Sequence, residues 1–138
     1  MGKRDEVLTA RANRIARSTV RRWAEKNNCS AGLADRIPRV FVKHIRKGRT
    51  NFSRREVITI PVWAYQKYGK HYFRYYVLHE VAHVLALTRG FAAHGHTEAF
   101  HEIEKQLCDE WNLKLRRVGA YPESIDYKGQ EIYNKRQL

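Results

Sequence analysis

Five residues, His79-Glu80-Val81-Ala82-His83, constrain this chain more than any other feature. On an α-helix, His79 and His83 lie about 40° apart on one face, so both imidazoles can bind a single ion. Glu80 sits about 100° round from His79, where its carboxylate can reach a water on that ion without being a ligand. The surrounding residues predict the helix, over 71–89 with Gly90 as its C-terminal cap. Val77, Leu78, Val81, Val84 and Leu85 form an apolar back that anchors it. The histidine front then faces a site lined by Tyr72 and Tyr76.

Two histidines leave a catalytic zinc short of protein ligands, because such sites typically use three plus a water. The downstream donors are His94, His96, Glu98, His101, Glu102 and Glu104. His94 and His96 fall in a loop before the next helix, placed to turn back toward the motif. That helix is predicted over 97–118 and ended by Gly119. Its apolar arc is Phe100, Ile103, Leu107, Cys108, Trp111 and Leu115. Glu104 falls inside this arc, and an inward carboxylate needs a cation or a donor. It is therefore either a ligand or a partner that orients a ligating histidine. Cys108 reads as core.

The rest of the chain predicts an α+β fold: a single small domain with an N-terminal helix, a short β-sheet, the active-site helix and a C-terminal helix. Residues 5–27 have helical periodicity, with Leu8, Ala12, Ile15, Ala16, Thr19, Val20 and Trp23 on one arc. Residues 28–38 read as a loop. Strands are expected over 39–44 and 56–60, joined by a basic turn at 46–51. Pro61 opens a short helical turn that stops at Gly69. The tail over 119–138 has no clear periodicity and reads as irregular.

Charge divides the chain. Residues 1–70 hold 18 Lys and Arg against 5 Asp and Glu, whereas residues 71–138 hold 9 of each. Arg outnumbers Lys 17 to 10, which favours phosphate contacts. Arg11, Arg14, Arg17, Arg21 and Arg22 occupy the arc of the first helix opposite its apolar side, and Arg46, Lys47 and Arg49 extend the basic surface through the turn. A polyanionic partner is expected, with sequence-nonspecific nucleic acid first. No apolar run approaches the ~20 residues of a membrane span, and no membrane partner is expected. The charged start has no apolar stretch behind it, so no secretory signal is expected. Two distant cysteines, Cys29 and Cys108, cannot make a disulfide framework, which favours a reducing cytoplasmic location.

Over roughly residues 39–112 the chain resembles the SprT-like (Spartan-like) branch of the small zincin metallopeptidases. Three segments carry the resemblance: Val57-Ile58-Thr59-Ile60 as a strand, Tyr76-Val77-Leu78-His79-Glu80-Val81-Ala82-His83 as the motif helix, and His96-Thr97-Glu98-Ala99-Phe100. In the last, a third histidine precedes an aromatic by four residues at a helix start. The resemblance implies a zinc cofactor held by His79, His83 and His96, with Glu80 as general base. It also implies a protein or peptide substrate lying along a neighbouring strand.

This chain departs from the family in two ways. Members often have His-Gly at the third ligand, whereas here Gly95 precedes His96. Reading His94-Gly95 as the pair instead puts Phe100 six residues on. A gluzincin-like arrangement would take Glu104 as third ligand. Many relatives also carry a C-terminal zinc ribbon, which two cysteines cannot form. SprT-like enzymes include proteases that act on proteins bound or crosslinked to DNA, in line with the charge. The implied function is a zinc metallopeptidase acting on or near nucleic acid. The alternative is a non-enzymatic nucleic-acid-binding protein with a structural or vestigial zinc site.

Overall fold

The structure is a computed structural model that describes residues 3–47, 49–51, 57–88, 96–117, 119 and 121–137. It has the expected α+β class, with four α-helices and two three-stranded sheets among the described residues.

Helix α1 spans Glu6–Lys26 and starts where Asp5 accepts a hydrogen bond from the Leu8 N–H at 2.9 Å. Its buried side is the arc read from periodicity, extended by Ala24. The segment expected as loop contains a 3-10 turn at Ala31–Arg36, capped by the Ser30 hydroxyl.

Strands β1 (Val40–Lys43) and β3 (Val57–Pro61) pair in parallel, and β2 (Arg49–Asn51) pairs antiparallel with β3, giving the order β1-β3-β2. The turn expected over 46–51 thus contains a strand. Val40, Val42, Ile58 and Ile60 point into the core and are fully buried. The outer edge of β1 is covered. Asn13 bonds both polar groups of the Val40 backbone, Thr9 accepts from the Val42 N–H, and Asp5 donates its own N–H to the Val42 carbonyl. Strand β2 is the other edge of this sheet's order.

Helix α2 (Trp63–Gln66) is the short turn after Pro61. Gly69, at φ +89°, sets the chain into α3 (Lys70–Thr88). Helix α3 runs through the middle of the molecule. It packs against α1, α4, β2, β3 and β6, so it is buried nearly all round between Tyr72 and Ala86.

Helix α4 spans Glu98–Asp109 and stops far short of residue 118. Asn112, at φ +58°, turns the chain into β4 (Leu113–Arg117). The tail expected to be irregular forms β5 (Pro122–Tyr127) and β6 (Gln130–Asn134), and the second sheet is antiparallel in the order β4-β5-β6. Trp111 and Leu115 therefore sit on a turn and a strand, off the helical arc assigned to them. Cys108 is buried in the core, where burial pushes its thiol pKa well up. No described helix is long and apolar enough to cross a membrane.

Candidate metal centre

The three imidazoles come from two elements. His79 and His83 are one helical turn apart on α3. His96 precedes Thr97, whose hydroxyl accepts from the Phe100 N–H at 3.2 Å and so fixes the start of α4. The cap and the docking of α4 on α3 carry His96 back to the motif. One ring nitrogen from each of the three histidines lies within 4.8 Å of the others.

The Nε2 atoms of His79 and His96 are 3.4 Å apart. Two imidazole nitrogens on one tetrahedral zinc stand about 3.3 Å apart, given Zn–N bonds of about 2.0 Å. The spacing and the all-nitrogen donor set fit that ion. Burial holds the His96 pKa below its ordinary value, with the His79 charge acting the same way, so the neutral form that can ligate is favoured.

Phe100 forms the floor beneath all three rings. It stacks on His83 at 4.3 Å and meets His79 and His96 edge-on at 5.1 Å each. It is fully buried, so it fixes ring orientation by packing alone.

Glu104 decides its own role. Its Oε2 is 2.5 Å from His79 Nδ1, the nitrogen facing away from His96, and its Oε1 accepts from Arg117. Both oxygens are thus committed away from the shared ligand position. Glu104 thus orients His79 and stands outside the three-histidine group, the arrangement in which a carboxylate fixes the tautomer that presents Nε2. Burial pushes the Glu104 pKa up, but hydrogen bonds and charges from His79 and Arg117 outweigh this and hold it below its ordinary value. Tyr75 Oη also lies 3.4 Å from His79 Nδ1.

Glu80 is buried, and its Oε2 lies 4.0 Å from His79 Nε2, on the ligand side of that ring. It sits beside the three-histidine group without belonging to it. A cavity of about 270 Å³ opens from His79 and Glu80, walled by Trp63, Tyr72, Tyr75, Tyr76 and Tyr121 with Lys47 at its edge.

The chain matches no protein-family model, no curated protein and no solved structure.

His94 lies outside the described residues, so its position relative to this centre is not described. His101 stacks at 6.4 Å from His96 and lines a separate groove with Glu98 and Glu102, away from the shared ligand position. Sequence reasoning missed Tyr121, whose ring faces His79 at 5.5 Å and His96 at 5.0 Å, and Arg117, which anchors Glu104. The alternation of Leu113-Lys114-Leu115-Arg116 was the signal for the strand that delivers Arg117.

The predicted cationic residues separate into groups. Arg11, Arg14, Arg17 and Arg21 share one groove. Arg22 is instead bound to Glu110 at 3.1 Å, beside Lys26 on the same carboxylate. Lys47 belongs to the metal-centre cavity, and Arg46 is exposed with its carbonyl accepting from Trp63 Nε1. The side chain of Arg49 lies outside what is described.

Proposed function

We propose that this protein is a zinc-dependent peptidase of the SprT-like kind, acting on protein on or near nucleic acid in the cytoplasm. The observation that carries the reading is the placement of Glu80: a buried carboxylate 4.0 Å from His79 Nε2, beside three imidazoles that can share one ion and outside that set.

His79, His83 and His96 would hold the zinc, which when bound supplies an electrophile that polarises a carbonyl and brings the pKa of water toward ~7. Glu80 accepts the proton of the attacking water and passes it to the departing amine. Burial shields this transfer from bulk solvent. Glu104, ionised between Arg117 and His79, keeps the His79 proton on Nδ1 so that Nε2 stays a donor to the ion. The phenols of Tyr76 and Tyr121 at the cavity are the hydroxyl donors suited to a developing oxyanion. Strand β2, at the edge of its sheet's order, packs on α3, which supports an extended substrate lying beside the motif helix.

The test compares the parent with Glu80→Gln on an unfolded protein substrate, with zinc content measured on both. The reading expects hydrolysis by the parent and a loss of at least about 100-fold in the variant at equal zinc content. A zinc-loaded parent that hydrolyses nothing would leave the non-enzymatic alternative.

A further inference from the structure

A concentration of basic side chains lies away from the metal centre. Arg11, Arg14, Arg17 and Arg21 form one wall of a groove of about 670 Å³, and Lys70 and Arg74 from the first turns of α3 form the other, with Trp111 at one end. No acidic residue lines it. Among the described residues none of these six cations makes an ion pair, whereas Arg22 and Lys26 on the same helix are both bound to Glu110.

Like charges facing one another across a concavity repel, and the groove accepts that cost. Arg74 shows it most clearly. Its guanidinium lies 4.1 Å over the Trp111 ring, and its Nε is buried with no hydrogen-bond partner among the described residues. The indole is fixed in turn by its own hydrogen bond to Thr19 at 2.7 Å, and Arg22 covers the ring at 5.2 Å. Two guanidiniums already lie over the Trp111 ring, which leaves it poorly placed to stack on a base. The groove therefore offers charge and hydrogen-bond donors without a platform for bases.

We infer that this groove between α1 and α3 seats the phosphodiester backbone of a single nucleic-acid strand. From Arg11 to Arg21 the wall runs about 15 Å, and facing cations from α3 flank the channel. A strand's phosphates, strung along one line, suit a channel with donors on both sides. Contacts to phosphate alone carry no base information, so binding is sequence-nonspecific. Lys70 and Arg74 lie roughly opposite His83 around the axis of α3, at about 100° per residue. A strand in the groove thus runs behind the metal centre and leaves the cavity free. The inference extends the nucleic-acid half of the proposed function and is independent of its peptidase half.

The test is fluorescence-anisotropy binding of a labelled oligothymidylate to the whole protein across a salt series. About four phosphate contacts predict a slope of log affinity on log salt near −2.8, or about 50-fold lost between 50 and 200 mM salt. Lys70→Gln/Arg74→Gln should lower that slope by about 1.4. Arg14→Gln/Arg21→Gln, on exposed side chains, should do the same if the first pair folds poorly. Arg22→Gln/Lys26→Gln removes equal charge outside the groove and should change affinity less than about 2-fold. Zinc content should be unchanged in the groove variants, and the binding readout needs no hydrolysis, so a failed peptidase assay does not bear on this result. Equal losses in all three pairs would overturn the groove in favour of general charge attraction. Tighter binding to polyglutamate, or to vesicles of equal phosphatidylcholine and phosphatidylglycerol, than to the oligonucleotide would overturn the nucleic-acid occupant.

Discussion

Glu104 Oε2 lies 2.5 Å from His79 Nδ1, while its other oxygen accepts from Arg117 at the end of β4. His79 is thus held by a carboxylate from α4, itself held by an arginine from the second sheet. Glu104→Gln keeps the shape but weakens the acceptor, and zinc affinity measured by chelator competition should fall about 10–100-fold. Arg117→Met leaves Glu104 buried with its charge only partly compensated, and should cost about 3 kcal/mol of unfolding free energy. An unchanged zinc affinity in Glu104→Gln would show that the carboxylate does not orient the ligand.

His96→Ala should weaken zinc binding far more than His94→Ala, because His96 is tied to the Thr97 cap and lies 3.4 Å from His79. Chelator competition on both variants checks this. The reverse order would move the third ligand to His94.

Phe100→Ala removes the buried ring shared by all three imidazoles. It should cost about 3–5 kcal/mol in denaturant unfolding, by lost burial and an unfilled cavity. Phe100→Leu should recover most of the stability but not the zinc affinity, since an aliphatic side chain fills volume without stacking on His83. Equal recovery of both would reduce Phe100 to ordinary core.

Acid should lower the stability of the metal-free protein over two pH ranges. His96 has a pKa below its ordinary 6.5, so below that pH the unfolded chain binds the proton preferentially and stability falls. Glu104 is also depressed, from an ordinary 4.5, so its contribution is present above that value and lost as pH drops through the lower folded pKa. Melting temperature followed against pH should show both declines, with the second absent in Glu104→Gln. A single decline in the parent would contradict this assignment.

The sequence disclosed the site more fully than the fold around it. Three features worked because they depend on local periodicity: the i, i+4 histidines, the buried arc of α1 and the inward position of Glu104. The α+β class was legible for the same reason. The error at α4 came from extending an apolar arc through Trp111 and Leu115, which pack inward from a turn and from β4. The hairpin β5–β6 was missed although Lys128-Gly129 is its two-residue turn, with φ +50° and +83°. Its strands alternate weakly because their outer faces are polar and only Ser124 and Ile125 are buried in the middle of β5. Lys70, Arg74 and Arg117 escaped notice because their roles come from helix and sheet packing, which no single segment encodes.

Metal analysis of the purified protein beside a His79→Ala/His83→Ala variant tests the central claim most directly. The account predicts about one zinc per parent chain, none in the variant, and a lower melting temperature on its loss. Stoichiometric zinc in the double variant, or a parent that takes up none from solution, would contradict it.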